Sequence, residues 1–530
     1  MSPPDSTAAA PPAEATLPRF SHRETVTVLV GLMLGFFLAA LDQTIVATAL
    51  PRMAADLHGV AHLSWVVSSY LLTSTAATPI YGKLSDLYGR RIMLQIAITI
   101  FLLTSILCAI ATTMPQLILF RALQGLGGGG LISMGHAVIA DIISPRERGR
   151  YQAYIASSFA IAAVVGPVVG GLFADHLSWR WVFWINLPIG IGALYMAQRT
   201  LKRLVTRRIR HRIDYTGAVL IVASVCCILL VTTMGGNEYP WASTEIELLA
   251  AAAVVLLGLA VLQECFASEP ILPPRLFFNH AFVLGNTINL LVALLMFGAI
   301  ILIPLFLQMV FELQAADSGL VLIPLTCAMS ICAIATGRLV ARTGRYKIYP
   351  AIGVALTAVS LLLLSTVTPS SSLIYAAAVI ALCGGGLGLV GPVMMVVIQN
   401  EVDFRDIGTA TASISFFRSL GGSFGVALFA AVLIARLNAL LVGVGGHEAL
   451  GEDASVQLLR AGTQALAQVP PQLRDAVEDA MTSAFHDVFR VGAAIAVVTV
   501  IIVMMLRETP LKTAQPGAPG ASASAGGDEF

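Results

Sequence analysis

Apolar runs of about twenty residues recur along most of the chain and are separated by short polar stretches. Fourteen runs occur, at 26–50, 63–82, 92–112, 116–139, 153–175, 181–199, 214–234, 246–266, 281–305, 318–337, 348–367, 373–398, 407–435 and 487–506. About 20 apolar residues in an α-helix span the hydrocarbon core of a bilayer. Backbone polar groups in lipid need partners within the chain, so each run is predicted to be helical. The pattern predicts an all-α integral membrane protein with 14 transmembrane helices.

The two ends of the chain lack this pattern. Residues 1–25 are rich in Ala, Pro, Ser and Thr and do not have the layout of a signal peptide, so we predict a disordered tail. Residues 508–530 are rich in Gly, Ala, Ser and Pro and predict a second disordered tail. If the first tail is cytoplasmic, 23 of the 31 Lys and Arg residues lie on the inner side, six on the outer side and two within runs. This positive-inside bias predicts that both termini are cytoplasmic.

Composition excludes several other classes of protein. Hydrophobic residues make up 57% of the chain and charged residues only 12%, against about 25% charged in soluble domains. The 31 basic residues are nearly balanced by 30 acidic ones, so no bulk basic surface indicates a nucleic-acid partner. The seven cysteines lie in or beside apolar runs, where free Cys behaves as a small hydrophobic residue. We therefore expect no disulfide framework, no metal site and no cofactor.

An internal repeat divides the chain into halves. The glycines Gly82 and Gly89 after the second run match Gly337 and Gly344 after the tenth, although Ala341 replaces the acid Asp86 in the second copy. Run n matches run n + 8, which predicts two six-helix halves with two further helices between them. The predicted units are an N-terminal half at 26–200, a basic loop and two extra helices at 201–280, and a C-terminal half at 281–507 that includes a long outer loop at 436–486. Repeats of this kind place the substrate near the midplane.

Several motifs carry a resemblance to a known family. The loop 82–91 reads GKLSDLYGRR and resembles the signature of the major facilitator superfamily. The stretches LDQTIVATALP at 41–51, RALQG at 121–125, GPVVGG at 166–171 and WRWVFWINLPIG at 179–190 are similar to its fourteen-helix drug:proton antiporter family. One departure is Ala47, where many members have Asn. The resemblance implies a proton-driven exporter that works by alternating access.

Asp42 is the sharpest candidate for chemistry, because it lies deep inside the first run. An ionised carboxylate at this depth costs about 2.5–3.5 kcal/mol on insertion scales, and intramembrane acids are functional candidates by default. We predict that Asp42 loads and releases a proton; the alternative is a permanent hydrogen-bonding role. The resemblance implies that Arg121 also takes part in proton movement. The alternative is that Arg121 forms a purely structural ion pair. Gln124 is predicted to line the substrate cavity with Asp42.

The loop at 82–91 is predicted to act as a cytoplasmic gate. Gly82 and Gly89 permit close approach and a tight turn, and Asp86 is suited to cap a helix or to bind Arg90. Arg90 and Arg91 are predicted members of the gate, although the positive-inside rule alone also accounts for arginines here.

The fifth run carries Gly166, Pro167, Gly170 and Gly171, a set that the resemblance associates with antiporters. Pro167 removes a helix hydrogen bond and the glycines let a neighbouring helix approach, so we expect a kinked helix that packs on the other half. Ordinary small-residue packing is the alternative. Arg418 in the thirteenth run needs an acidic or backbone partner, and we predict a structural ion pair there.

Three further features are less decisive. Asn286 and Asn289 are predicted either to line the cavity or to form hydrogen bonds between helices. His136 is predicted to be a satisfied polar residue. The spacing of Leu473, Val477, Met481, Ala484 and Val488 predicts an amphipathic helix that leads into the last run and covers either the outer mouth or the membrane surface.

The favoured function is export of amphiphilic, drug-like compounds in exchange for protons, by a monomer in a bacterial plasma membrane. The glycine run at 127–130 is not followed by Gly-Lys-Ser/Thr and lies in an apolar segment, so ATP is not the predicted energy source. An exporter dedicated to one metabolite, such as an antibiotic, siderophore, amino acid or lipid, and a non-transporting receptor remain alternatives. A membrane-embedded enzyme is disfavoured because no catalytic constellation recurs.

Overall fold

The computed structural model describes residues 22–58, 62–143, 145–201, 214–236, 239–267, 269–311, 313, 321–403, 406–443 and 473–511. Within these ranges the chain is helical and contains no β-strand beyond one isolated bridge, Gly235 to Tyr239. The basic cluster at 202–212 and most of the predicted N-terminal tail lie outside the described residues.

Seventeen helices occur in the described ranges. They are α1 (His22–Asp56), α2 (Leu63–Tyr88), α3 (Arg90–Ala109), α4 (Met114–Ile142), α5 (Pro145–His176), α6 (Trp181–Trp184), α7 (Asn186–Thr200), α8 (Tyr215–Met234), α9 (Thr244–Phe266), α10 (Pro274–Phe277), α11 (His280–Val310), α12 (Ile323–Thr343), α13 (Ile348–Leu364), α14 (Leu373–Gly388), α15 (Gly391–Glu401), α16 (Ile407–Gly443) and α17 (Arg474–Met505). Several begin at a polar residue whose side chain accepts a first-turn N–H, as Thr113 does for α4 and Asn279 for α11.

Ten helices in the described ranges are long and apolar enough to cross a membrane, and α13 and part of α5 are shorter apolar helices. Each of the fourteen predicted runs lies on a helix, wholly or over most of its length. The all-helical membrane fold predicted from the sequence is therefore confirmed at this level.

The N-terminal half is held together by close helix contacts at small residues. In α4, a side chain at Gly127 would meet the backbone of Phe101 in α3, at 2.7 Å from its nitrogen. A side chain at Gly129 would meet the carbonyl oxygen of Ser74 in α2 at 2.2 Å. The glycine run therefore lets α4 pack closely on both neighbours, as small residues do in membrane helices.

The C-terminal half has its own apolar core. Phe306 of α11 contacts two rings of α17, Phe485 and Phe489, with ring centroids 5.5 and 5.2 Å apart. Val477 and Met481 in the first turns of α17 are buried in this same core. The helix predicted ahead of the last run is thus the start of α17, and its apolar face packs inside the half.

The predicted outer loop and C-terminal tail have different boundaries in the structure. Helix α16 extends to Gly443 and α17 begins at Arg474, so both helices extend into the predicted loop 436–486. The predicted tail boundary at 508 needs correction, because the first tail residues are docked. Glu508 accepts the backbone N–H of Tyr346 at 2.9 Å, and Asn400 donates to the carbonyl of Pro510 at 3.4 Å.

The two inserted helices, α8 and α9, pack on each other and lie beside both halves. Ile221 and Val225 of α8 share an apolar cluster with Ala76 of α2 and Phe416 of α16. At one end of the molecule, Ala140 of α4 joins a cluster formed by the C-terminal half, which includes Ile407 and Ile414 of α16. The halves therefore contact each other at the end that carries the loop 82–91.

Candidate functional site

The Asp42 carboxylate lies at the centre of a fully buried polar cluster in the N-terminal half. Arg121 of α4 donates from Nη1 to Oδ2 at 2.6 Å. Gln124 donates from Nε2 to Oδ1 at 3.1 Å, and Asn186 of α7 donates from Nδ2 to the same oxygen at 2.9 Å. Asp42 and Gln124 have no exposed surface, and Arg121 is 1% exposed. Two helices, α4 and α7, thus direct three donor side chains at one carboxylate of α1.

Arg121 has partners besides Asp42. Its Nε donates to the carbonyl oxygen of Val66 at 3.2 Å, and its Nη1 donates to Oε1 of Gln124 at 2.8 Å. The guanidinium carbon lies 4.3 Å from the centre of the Tyr70 ring. A cation over an aromatic face is stabilised further when it is desolvated. Arg121 therefore keeps several contacts of its own at this position.

Further hydrogen bonds hold Asn186 in position. Asn186 also donates to Oγ of Ser105 at 3.0 Å, and Ser105 donates to the carbonyl of Phe183 at 2.9 Å. Asn186 lies inside the motif at 179–190 but was not predicted to be a site residue. The signal was present, since an Asn in an otherwise apolar segment needs a polar partner.

Asn286 and Asn289 lie on α11 in the other half and do not take part in the hydrogen bonds around Asp42. Asn286 donates to the carbonyl of Phe282 at 2.9 Å, within its own helix. Both side chains are buried, and Asn286 Oδ1 and Asn289 Nδ2 have no hydrogen-bond partner among the described residues. Their role as cavity residues stays a prediction.

The loop motif bridges the two halves. Asp86 Oδ1 accepts the backbone N–H of Gly408 at 3.1 Å, and Oδ2 accepts the N–H and the hydroxyl of Thr409, both at 2.9 Å. Asp86 therefore caps the first turn of α16, where backbone N–H groups are unpaired and favour a negative charge. Gly82 lies against the same turn, because a side chain there would meet Ala412 Cβ at 2.4 Å.

Arg90 holds Asp86 in this position. Its Nη1 lies 2.6 Å from Asp86 Oδ1, and its Nε donates to Asp141 of α4 at 2.9 Å. The buried Arg90 guanidinium is thus matched by two carboxylates, Asp86 and Asp141. Burial raises the pKa of Asp86, and Arg90 opposes that rise. Gly89 joins α2 to α3 with φ of 93°, a conformation that favours glycine.

Arg91, the last member of the predicted gate, is half-buried and takes no part in the contacts of Asp86. The hydrogen bonds and ion pair of Asp86 involve Arg90, Gly408 and Thr409. The structure therefore brings together four of the five predicted gate residues.

Helix α5 packs on α12 and α15 of the C-terminal half, but its close-packed glycines do not make that contact. A side chain at Gly166 would meet Thr44 Oγ1 at 2.0 Å, and one at Gly170 would meet Thr48 Oγ1 at 2.2 Å. Both threonines belong to α1 of the same half. The reason is the direction of the glycine face, which points at α1, while Gly171 has nothing within 4 Å and Pro167 is exposed.

The structural ion pair predicted for Arg418 is not found. Among the described residues no carboxylate forms an ion pair with its guanidinium. The side chain is half-buried on α16. Arg418 thus differs from Arg121, whose charge is matched by Asp42.

These features define a membrane transporter built from two facilitator-type halves. The sequence profile of the Major Facilitator Superfamily matches residues 32–426, and the chain belongs to this superfamily. Its relatives within the superfamily include proteins named as a multidrug transporter and a multidrug resistance protein, in line with the group that the sequence motifs predicted. The chain is accordingly a transporter and not an enzyme.

The relatives cover most of the chain. It is 39% identical to the multidrug transporter protein MdtP of Bacillus subtilis over 417 residues, which are 78% of this chain and 76% of that one. It is 32% identical to multidrug resistance protein 3 of the same organism over 92% of this chain and 96% of that one. The solved structure of the proton:xylose symporter XylE shares the fold, with a TM-score of 0.60 and 13% identity over 93% of this chain and 98% of XylE.

Proposed function

We propose that this chain is a proton-coupled exporter of amphiphilic, drug-like compounds in a bacterial plasma membrane. The observation that carries the proposal is the buried pair of Asp42 and Arg121, 2.6 Å apart. An acidic side chain at the depth of the membrane is stable only while it is paired with a cation or protonated. Binding of a proton neutralises Asp42 and removes the attraction that holds Arg121.

Arg121 keeps hydrogen-bond and aromatic contacts when Asp42 is protonated. Its contacts with the Val66 carbonyl, Gln124 and the Tyr70 ring do not need the Asp42 charge. The guanidinium therefore stays charged and satisfied while Asp42 alternates between an ionised, paired state and a neutral state. Two discrete arrangements of one cluster are what proton coupling requires.

The gate at Asp86 supplies the second part of the mechanism. In the arrangement seen here, Asp86 and Gly82 join α2 to α16 at the end with the loop motif. These contacts keep the halves closed at that end. We infer that they break when the halves rock about the midplane and the cavity opens to the cytoplasm.

The topology of the proposal is the one predicted from the sequence. It has 14 transmembrane helices, both termini in the cytoplasm, six-helix halves at 26–200 and 281–507, and two extra helices between them. Support comes from the ten apolar helices and from α8 and α9, which lie beside both halves. We propose that the monomer is the functional unit.

A second candidate function is an exporter dedicated to a single metabolite. Both functions share the same coupling, so the test must vary the substrate. The chain is reconstituted in proteoliposomes with an imposed pH gradient, and transport of a panel of amphiphilic compounds is measured with and without a protonophore. Multidrug export predicts gradient-dependent transport of several unrelated compounds. Transport of one compound alone supports the dedicated exporter, and no gradient-dependent transport overturns the proposal.

A further inference from the structure

The segment that joins the inserted helices to the C-terminal half crosses the closed end of the molecule. It comprises residues 269–279, which follow α9 and lead into α11, and we call it the strap. Ile271 of the strap is buried in an apolar cluster that includes Ala76 of α2. Leu276 is buried in a second cluster, with Ala140 of α4 and several residues of α16. The strap therefore packs against helices of both halves.

Polar contacts fix the strap to the C-terminal half. Arg275 donates from Nη2 to both carboxylate oxygens of Asp406, at 2.8 and 2.9 Å. Asp406 is buried and directly precedes α16. Asn279 donates from Nδ2 to the carbonyl oxygen of Glu401 at 3.3 Å, and its Oδ1 accepts the N–H of Phe282 in the first turn of α11. The strap thus belongs to the C-terminal half and moves with it.

An ion pair ties the strap to the N-terminal half. Lys83 of α2 donates from Nζ to Oε2 of Glu269 at 3.0 Å. The two side chains are 14% and 29% exposed, so water and salt screen this pair less than a pair on an open surface. Lys83 follows Gly82 and lies one turn before Asp86, the two residues that join α2 to α16. The ion pair therefore crosses between the halves beside the gate contacts.

The strap is also tied to the inserted helices. Glu264 in the last turn of α9 is buried, and its Oε2 accepts the N–H of Leu272 at 2.9 Å. Ile271 shares its apolar cluster with Ile221 of α8 and Ala260 of α9. A displacement of α8 and α9 is therefore passed to the strap, and the strap carries the acidic partner of Lys83.

We propose that Lys83 and Glu269 form a further part of the cytoplasmic gate, held closed through the strap in the arrangement seen here and separated when the halves rock apart. Arg275 and Asp406 keep the strap on the C-terminal half, so opening at this end takes Glu269 away from Lys83. The inference deepens the proposed function, on which it rests, by adding two positioning residues to the gate. It also gives the two inserted helices a role in gating.

The test is hydrogen exchange of the full chain in lipid nanodiscs, measured at residues 406–412, where α16 meets α2. Lys83→Glu and Glu269→Lys each place two like charges at the pair. We expect each change to speed exchange at 406–412 by roughly three- to tenfold, because like charges in contact repel and weaken the closed gate. The combined variant, Lys83→Glu with Glu269→Lys, restores an ion pair of opposite polarity and should recover most of the protection. Exchange at 477–485, in the apolar core of the C-terminal half, should stay unchanged.

The internal repeat supplies a matched control. Arg338 follows Gly337 in the second copy of the loop motif as Lys83 follows Gly82 in the first, and the Arg338 side chain is exposed. Arg338→Glu reverses a charge at the equivalent position of the other half. It should leave exchange at 406–412 at the wild-type rate.

Wild-type exchange at 406–412 in both single reversals overturns the inference. Faster exchange that the combined reversal does not slow also overturns it, because the two residues then do not act as a pair. If a reversal variant does not fold, the neutral changes Lys83→Met and Glu269→Gln decide the outcome. Each should speed exchange, and both together should do no more than the larger single change, since they remove the same pair; additive effects contradict the inference.

The assay uses neither a substrate nor a pH gradient. Failure of proton coupling therefore leaves the exchange rates at the gate measurable. Failure of the strap inference, in turn, leaves proton coupling through Asp42 open.

Discussion

Asp86 in the N-terminal half accepts the backbone N–H of Thr409 in the C-terminal half at 2.9 Å. The acid of a loop motif thus serves as the cap of a helix 323 residues further along the chain. This relationship turns a local sequence signature into a contact between the two halves. It also explains why the motif needs Gly82, since the same helix turn lies too close for a side chain.

The first prediction concerns this cap. Asp86→Asn removes the charge from three hydrogen bonds to Gly408 and Thr409. The free energy of association between the two halves should weaken by about 1.5–3 kcal/mol. Hydrogen exchange of the backbone amides at 406–412 should then speed up by roughly tenfold or more, and transport should fall. Asp475→Asn, at an exposed acid of α17, is the matched control. Unchanged exchange at 406–412 would show that Asp86 does not hold the halves together.

The second prediction separates the glycines of α5. Gly166→Ala places a methyl group on Thr44 of α1, and such overpacking typically costs about 1–3 kcal/mol. Gly171→Ala meets nothing within 4 Å and should change stability by no more than about 1 kcal/mol. Thermal unfolding of the purified variants measures both. Equal destabilisation by the two changes would contradict the packing of α5 on α1 described here.

The third prediction concerns Asn186. Asn186→Leu removes one donor from ionised Asp42, and a hydrogen bond to a charged group contributes about 1.5–3 kcal/mol. Thermal stability of the purified protein should therefore fall by about 1.5–3 kcal/mol, and pH-gradient-driven transport should weaken. The measurements are thermal unfolding and transport in proteoliposomes. Asn438→Leu, at the far end of α16, should leave transport unchanged; wild-type stability and transport in Asn186→Leu would refute the assignment.

The sequence predicted the helices well because helix formation in a membrane depends on each segment alone. An apolar run in lipid must pair its backbone groups within itself, and all fourteen runs lie on helices over most or all of their length. The pairing of Asp42 with Asn186 is different, since it depends on how α1 and α7 rotate and pack. Nothing in the spacing of the two residues indicates that rotation.

Two differences from the predictions for single residues have the same physical origin. Helix α5 was expected to pack on the other half, and it does so, but its glycines face α1, because tertiary packing and not the motif sets the direction of a helix face. Arg418 was expected to have an acidic partner because isolated charge is costly in lipid. The sequence shows that Arg418 is charged, but the distance from it to each carboxylate depends on tertiary packing, and no described carboxylate pairs with it.

The central claim is that Asp42 couples protons to export. The direct measurement compares wild-type and Asp42→Asn chains in proteoliposomes, using both pH-gradient-driven export and exchange of substrate across the membrane without a gradient. Asp56→Asn, at a half-exposed acid of the same helix, is the control. The account predicts that Asp42→Asn abolishes gradient-driven export while exchange persists. Gradient-driven export that continues at the wild-type rate in Asp42→Asn would contradict it.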